Sequence, residues 1–227
     1  MSAARPLVLV AGAGAGLGQS VLARFDAGGF TAVGLGRTWP ETPVGTFHQV
    51  ELSDEAAAPE LLAEIIATHG VPKVVVHNTA ELFIGPFAET TLADYQRTWT
   101  SMVQTAVLLG QSVLPSMVRA GGGTFIVSGA TASLRGGAKF SAFASAKFAL
   151  RGLTQSLARE YQPAGVHVCH VVLDGIIDTP RARDRHALDP AKMMRPADIA
   201  EAYWQLAHQP SSTWTHELDL RPAAEGC

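Results

Sequence analysis

The sequence predicts a single-domain α/β fold, in which a doubly wound parallel sheet carries helices on both faces. Three observations lead to this expectation. Short apolar runs alternate with longer segments of helical periodicity along the 227 residues, which is typical of strand–helix–strand units. The short runs are almost entirely apolar, as in strands that are covered on both faces. A glycine-rich turn joins the first run directly to the first helical segment, which indicates a tight chain reversal there.

Seven apolar runs are predicted to be strands. The first, residues 7–10, is followed by the glycine turn, and the second, 31–35, ends at Gly36. The remaining strands are predicted over 46–52, 73–77, 124–128, 166–173 and 217–220. Because most of these runs consist of branched or aromatic apolar side chains, we expect them to lie in a buried sheet.

Five segments are predicted to be helices, over residues 16–27, 54–67, 92–117, 141–161 and 196–208. Asp54 is a typical N-cap residue. The segment that follows it places four apolar side chains on one face, namely Leu61, Leu62, Ile65 and Ile66. The chain shows no linker, low-complexity stretch or internal repeat, so we expect one domain over residues 1–227.

Composition excludes several classes of protein. The chain carries 20 acidic and 17 basic side chains, a formal net charge of -3, which gives no support for a nucleic-acid-binding surface or a polybasic membrane anchor. Its two cysteines, Cys169 and Cys227, rule out a disulfide scaffold. Glycines interrupt the apolar stretch that a secretory signal would need, and no apolar run of about twenty residues occurs elsewhere. We expect a soluble cytoplasmic protein without nucleic-acid or membrane partners.

The turn over residues 11–18 has glycine at every second position. Glycine lets the backbone turn tightly and approach a ligand, and the amides that open the following helix attract negative charge. Since the turn stands between a strand and a helix, it predicts a site for the pyrophosphate of a dinucleotide cofactor. The residues predicted to contact that group are Gly12, Gly14, Ala15, Gly16, Leu17 and Gly18.

This turn and several later segments resemble the short-chain dehydrogenase/reductase family in order and spacing, over nearly the whole chain. Residues 77–80, His-Asn-Thr-Ala, resemble its Asn-Asn-Ala-Gly turn, and residues 143–147, Phe-Ala-Ser-Ala-Lys, resemble its Tyr-x-x-x-Lys motif. Residues 51–54 stand where that family contacts the adenine, and Asp174-Gly175 with Thr179-Pro180 resemble its Pro-Gly and Thr. The resemblance implies a Rossmann-like fold, a nicotinamide cofactor and hydride transfer. The cofactor contacts that it adds are Glu51, Leu52, Asn78, Thr79, Ala80, Lys147, Gly175, Ile177 and Thr179.

The end of the second predicted strand bears on the choice of cofactor. An NAD-dependent member of the family has an acidic residue here, which binds the ribose hydroxyls, whereas this chain has Gly36 followed by Arg37 and Thr38. A guanidinium binds a 2′-phosphate in a fork, and an acid would repel it. We therefore predict NADP(H), with Arg37 and Thr38 beside the phosphate. The alternative is that Arg37 is a solvated loop residue.

The resemblance implies four catalytic positions, of which one is retained. The lysine maps to Lys147, which is expected to bind the nicotinamide ribose. The tyrosine, which is the family's proton donor, maps to Phe143, and phenylalanine has no hydroxyl. The serine maps to Ala130, with Thr131 and Ser128 nearby as candidates for orienting a substrate.

The family's asparagine maps to Met102, and Asp174 replaces the family's proline at the end of the sixth predicted strand. A carboxyl group beside an apolar pocket could act as an acid or hold a cationic amine. The equally weighted alternative is a turn aspartate that accepts backbone hydrogen bonds.

We predict an NADPH-dependent oxidoreductase that transfers hydride to a small organic substrate. Because the catalytic tyrosine is replaced, imine or iminium C=N bonds and activated C=C bonds are favoured over plain ketones. Two alternatives stay open, an ordinary carbonyl reductase with a substitute proton donor and a non-redox NADP-binding cyclase or regulatory protein. No metal site is predicted. The resemblance also implies that the long helices 92–117 and 141–161 pair copies into a homodimer or homotetramer.

Overall fold

Seven parallel strands form one sheet in the computed structural model, which describes residues 5–185 and 187–224. Along the sheet the strands follow the order β3-β2-β1-β4-β5-β6-β7. They are β1 (Leu7–Ala11), β2 (Thr31–Gly36), β3 (Thr46–Gln49), β4 (Pro72–His77), β5 (Gly123–Ser128), β6 (Val166–Leu173) and β7 (Glu217–Leu220). Each neighbouring pair is parallel, which confirms the predicted sheet.

Helices cover both faces of this sheet. They are α1 (Leu17–Ala27), α2 (Ala57–His69), α3 (Leu92–Trp99), α4 (Thr105–Arg119), α5 (Ser141–Tyr161), α6 (Pro180–Arg185) and α7 (Pro196–Ala207). One core lies between the sheet and the layer of α2, α4 and α5, and a second core lies between the sheet and α1 with α7. The alternating pattern of strands and helices therefore gives the single-domain α/β fold that the sequence predicts.

The strand order reverses between β1 and β4. The chain runs from β1 outward to β2 and β3, returns to β4 on the other side of β1, and continues to β7. In open parallel sheets this reversal opens a crevice outside the carboxyl ends of the strands, where ligands bind. The glycine turn and the segment after β4 meet at this crevice, since the amide of Asn78 donates to the carbonyl oxygen of Ala11 at 2.8 Å.

The structure adjusts several predicted boundaries. Strand β3 ends at Gln49, three residues before the predicted limit, and α2 begins at Ala57 because the Asp54 carboxylate accepts hydrogen bonds from the amides of Ala56 and Ala57, both at 2.9 Å. The single helix predicted over 92–117 consists of α3 and α4 joined by a π-helical turn, Thr100–Gln104. Cys169 is a buried free thiol, whereas Cys227 lies outside the described residues.

The helical stretch Leu92–Arg119 is long and apolar. By length and mean hydropathy alone, Leu92–Arg119 would be long enough to cross a membrane. However, 56% of its most apolar window is buried inside the domain, where α3 packs on α5 and α4 packs on α2. This burial is that of a core helix.

Candidate functional site

The glycine turn is shaped by close backbone contacts. A Cβ atom on Gly12 would lie 2.6 Å from the carbonyl oxygen of Asn78, and one on Gly18 would lie 2.5 Å from the carbonyl oxygen of Gly12. Gly12 and Gly16 also have φ angles of 86° and 113°, in the region that favours glycine. By contrast, a Cβ on Gly14 would meet nothing within 4 Å. The turn is therefore a rigid cradle with an open surface at Gly14, and this shape fits a pyrophosphate.

Two other segments close around the cradle. The side-chain amide of Asn78 donates to the carbonyl oxygen of Gly12 at 3.1 Å. Thr179, from the segment after β6, places its Cγ2 atom 2.8 Å from the position of a Cβ on Gly16. The Thr179 hydroxyl accepts a hydrogen bond from the amide of Ala182 and so opens α6. The sequence-predicted residues Asn78 and Thr179 are thus brought to the glycine turn.

Arg37 lies at the carboxyl end of β2 with 60% of its side chain exposed. Its guanidinium is 3.6 Å from the carboxylate of Glu81, which also lies 3.7 Å from Arg97. Thr38 is exposed beside it. The structure therefore places a cation where the adenosine end of a dinucleotide would lie, and adds an acidic neighbour that the sequence did not indicate.

The other predicted cofactor contacts differ in what they can offer. Ala15, Glu51 and Ala80 are exposed, and Gly175 and Ile177 are partly buried. Two predicted contacts, Leu17 and Leu52, point into the two hydrophobic cores, so only their backbone atoms could contact a cofactor. The Thr79 hydroxyl also points inward, since it lies 2.9 Å from Nε2 of His77 and donates to the carbonyl oxygen of Ser101 at 2.7 Å.

Lys147 is buried on α5, with 2% of its surface exposed. Its ammonium donates a hydrogen bond to the carbonyl oxygen of Ser128 at 2.9 Å. Burial disfavours the charged form and lowers the pKa of Lys147 to about 8. One helical turn earlier, the Phe143 ring has its centroid 5.8 Å from the Lys147 ammonium. The structure therefore brings the predicted residues Phe143 and Lys147 together.

The Ser128 hydroxyl is not brought together with them. It lies 2.8 Å from the hydroxyl of Tyr203, which belongs to α7 on the opposite face of the sheet. Both groups are buried, and burial raises the pKa of Tyr203. Since the hydroxyl already has a buried partner, the predicted substrate-orienting role of the Ser128 side chain is not favoured by this geometry. What Ser128 gives to the crevice is its backbone carbonyl.

Asp174 is a buried carboxylate among polar and charged partners. Its side chain is 2% exposed. The Thr131 hydroxyl donates to Asp174 Oδ1 at 2.5 Å. The guanidinium groups of Arg135 and Arg221 lie 3.4 and 3.5 Å from its two oxygens. The carboxyl group of Asp174 is therefore already in contact with one hydroxyl donor and two guanidinium groups.

A model of the short chain dehydrogenase family matches residues 6–188, which include the cradle, Lys147 and Asp174. The chain belongs to this family.

As a short-chain dehydrogenase, it is an oxidoreductase with a site for a nicotinamide cofactor. It is 33% identical to a short-chain dehydrogenase from Rhodopseudomonas palustris, with a TM-score of 0.80 and coverage of 96% of this chain and 98% of the other. It is 27% identical to the uncharacterized oxidoreductase YciK of Escherichia coli, over 95% of this chain and 92% of the relative. It shares its fold with ElxO, at 20% identity and a TM-score of 0.86, in a structure of a tyrosine-to-phenylalanine variant with NADPH bound. That alignment covers 95% of this chain and 96% of ElxO.

Several residues of the dehydrogenase site were missed by sequence reasoning. Tyr203 lies 75 positions from its partner Ser128, and Arg221 stands far along the chain from Asp174. His77 belongs to the turn over 77–80 that the sequence did identify and Glu81 follows it directly, but both have partners on other elements. The sequence shows a histidine or an acidic residue at the end of a strand, but it does not show which distant residue contacts it.

Proposed function

We propose that this chain is an NADPH-dependent oxidoreductase that transfers hydride to a small organic substrate with a C=N or activated C=C bond in preference to a plain ketone. The observation that supports the proposal is the pair of Phe143 and Lys147. In this proposal Lys147 binds the nicotinamide ribose, while the ring beside it carries no hydroxyl.

Two of the three tyrosine hydroxyls already have a hydroxyl partner, and the third tyrosine lies far from Phe143 along the same helix. The Tyr95 hydroxyl donates to Ser141 at 2.8 Å, and the Tyr203 hydroxyl pairs with Ser128 across the sheet. Tyr161 is the last residue of α5, at the far end of the helix from Phe143. The crevice beside Lys147 is therefore walled by an apolar ring where a proton donor would be expected.

This apolar wall bears on the class of substrate. When bound, the nicotinamide supplies a hydride. A ketone oxygen that gains negative charge needs a proton from the protein, and such general acid catalysis is worth about 10²–10⁴-fold in rate. An iminium nitrogen becomes neutral on reduction and needs no acid in that step. An activated alkene can take its proton later from water. The absence of a hydroxyl on Phe143 should therefore slow the reduction of ketones more than that of iminium ions or activated alkenes.

Two alternative functions are an ordinary carbonyl reductase and a non-redox NADP(H)-binding protein. In an ordinary carbonyl reductase, Thr131 or Asp174 would replace the tyrosine as proton donor. The contacts of both residues count against this, because the Thr131 hydroxyl already gives its hydrogen to Asp174 Oδ1 and the Asp174 carboxyl group is in contact with Arg135 and Arg221. In a non-redox protein, the cradle would bind NADP(H) without turnover.

The test is a substrate panel followed by the loss of NADPH absorbance. A cyclic imine, the matching cyclic ketone and the matching enone are offered to the purified protein with NADPH. We expect turnover of the imine or enone at least about 100-fold faster than that of the ketone. Equal rates for ketone and imine would overturn the substrate preference. Binding of NADPH without any turnover would support the non-redox alternative. An Asp174→Asn variant that loses ketone turnover selectively would support Asp174 as the donor.

Assembly and location belong to the same proposal. The side chains of Trp99 on α3 and Phe148 on α5 are 45% and 44% exposed, although both are large and apolar. We propose that these helices pair two copies of the chain into a homodimer or homotetramer in the cytoplasm. A Phe148→Glu variant that remains an oligomer by light scattering would argue against this interface.

A further inference from the structure

His77 is the last residue of β4, and its side chain is fully buried. It is aligned with Val127 on the neighbouring strand β5. The next residue of β5, Ser128, offers its carbonyl oxygen to the ammonium of Lys147. The imidazole and the ammonium therefore lie at the same strand ends, on the face of the sheet that α4 and α5 cover.

The hydrogen bonds around His77 favour one tautomer. Its Nε2 atom lies 2.8 Å from the hydroxyl of Thr105 and 2.9 Å from that of Thr79. Each hydroxyl has a backbone acceptor for its own hydrogen, the carbonyl oxygen of Ser101, at 2.9 and 2.7 Å respectively. Both hydroxyls can then accept from the imidazole, which favours the tautomer with the proton on Nε2 and the lone pair on Nδ1.

This lone pair has no partner among the described residues. Nδ1 of His77 is buried and makes no hydrogen bond within the part of the chain that the structure describes. The imidazole is neutral, because burial lowers the pKa of His77 to about 3 and the charge of Lys147 acts in the same direction. A buried acceptor of this kind is costly unless a donor satisfies it.

The Lys147 ammonium is the donor that could satisfy Nδ1 of His77. An ammonium has three hydrogens, and the contact with Ser128 uses one of them. On the helical side, the π-helical turn between α3 and α4 contributes Met102, whose fully buried side chain has no nitrogen or oxygen. Within the described residues the ammonium makes no second hydrogen bond, while His77 at the neighbouring strand end holds a buried acceptor without a donor.

We propose that His77 is a positioning residue for Lys147, and that its Nδ1 accepts a hydrogen bond from one water molecule to which the Lys147 ammonium also donates one. The inference rests on the proposed function in so far as Lys147 binds the nicotinamide ribose. With Ser128 on one side and His77 on the other, the ammonium is held at a fixed point of the crevice.

A second imidazole faces Lys147 from β6. His170 is aligned with the same Val127, and it is fully buried. Burial lowers the pKa of His170 to about 4, and the charge of Lys147 contributes to this. Its Nδ1 lies 3.4 Å from the Thr154 hydroxyl, and the ion pair of Arg151 and Glu217 lies beyond it. Nε2 of His170 also has no partner among the described residues, so His170 is the rival acceptor that the experiment must separate from His77.

The experiment titrates Lys147 in protein without cofactor. Lysine ε-carbons are isotope-labelled and followed by NMR against pH, and a Lys147→Arg variant assigns the signal among the four lysines of the chain. In the wild type we expect a midpoint near the lowered pKa of about 8. His77→Leu removes the acceptor and should lower this midpoint by about one pH unit, which is a tenfold change in the proton affinity of Lys147. His77→Asn places an amide oxygen at the position of Nδ1 and should leave the midpoint within about 0.3 unit of the wild type.

Controls separate this contact from a general effect of core substitution. His167→Asn changes a buried histidine that stacks on Trp214 and bonds the carbonyl oxygen of Thr215, and it should leave the midpoint unchanged. An equal shift in His77→Leu and His77→Asn, or no shift in either, would overturn the proposal. A shift in His170→Leu with none in His77→Leu would assign the acceptor to His170 instead.

A measurement on the wild type requires no folded variant. Nitrogen NMR of the imidazole should show a protonated Nε2 and an unprotonated Nδ1 on His77 at neutral pH, and the opposite tautomer would overturn the proposal. Both readouts are made without NADPH. A failure of the chain to bind NADPH would therefore overturn the proposed function but would not affect the test of the contact between His77 and Lys147.

Discussion

The cofactor cradle and the reaction centre share one edge of the sheet but are held in different ways. In the cradle, backbone packs on backbone, and Gly12 and Gly18 leave no room for a single added carbon. In the reaction centre, buried polar side chains hold one another, as Lys147 holds the Ser128 carbonyl and Thr131 holds Asp174. A backbone cradle tolerates little change in sequence. A network of side chains can be rebuilt with other residues, and this is where we propose that the chain departs from the motif of its family.

The largest expected effect tests the reaction centre. Phe143→Tyr would return a hydroxyl to the ring beside Lys147, whose charge favours ionisation of a neighbouring phenol. We expect ketone reduction to rise by about 100-fold or more, because a general acid becomes available. The control is Phe87→Tyr, which adds the same hydroxyl to a ring that is 77% exposed and should leave ketone reduction unchanged. Equal ketone rates in both variants would place Phe143 away from the reacting atoms.

The next effect tests the cradle. Gly12→Ala forces a Cβ to within 2.6 Å of a backbone oxygen at a φ of 86°, and should lower the free energy of unfolding by about 3 kcal/mol. Gly14→Ala, two residues away, meets open space and should stay within about 0.5 kcal/mol of the wild type, while weakening NADPH binding. Chemical denaturation measures the first quantity and fluorescence titration the second. If the two variants were equally stable, the cradle would not be fixed by its backbone.

The same contrast explains how much the sequence could predict. The seven strands, the parallel sheet and the glycine cradle follow from residue types whose requirements are local, such as a glycine at positive φ or an apolar run. The partners in the reaction centre do not, because they join residues far apart in the chain. The sequence makes Ser128 a candidate for orienting a substrate, but its hydroxyl pairs with Tyr203 from α7. The sequence leaves Asp174 open as an acid, an anchor for a cationic amine or a turn residue, and its contacts with Thr131, Arg135 and Arg221 come from distant segments.

A smaller effect is expected at the adenosine end of the cradle. Arg37→Ala should weaken NADPH binding about tenfold and leave NADH binding unchanged, because only the phosphate loses a charged partner. Glu81→Gln should act in the opposite direction, since the carboxylate 3.6 Å from Arg37 competes with a phosphate for that cation. Arg119→Ala, at the end of α4, serves as the control for net charge. Tighter binding of NADH than of NADPH by the wild type would remove the predicted NADP(H) preference.

The smallest effect is the loss of folding stability at low pH, which we expect to come from the reaction centre and not from the cradle. His77 and His170 have pKa values lowered to about 3 and about 4 by burial, below the ordinary histidine value of about 6.5. Between the ordinary and the lowered values the unfolded chain binds more protons than the folded one, so stability is fully present above about pH 6.5 and falls as the pH drops. At about pH 6 each histidine should cost roughly 1 kcal/mol relative to neutral pH. His77→Asn should remove one of these two contributions and make stability fall less steeply with pH, as measured by urea denaturation at stepped pH values.

The Gly14→Ala variant, whose change lies in the cradle, is the control and should follow the wild-type dependence of stability on pH. An unchanged slope in His77→Asn would mean that the imidazole is already protonated in the folded protein, and that the buried groups around Lys147 are not held in the neutral form that their hydrogen bonds require.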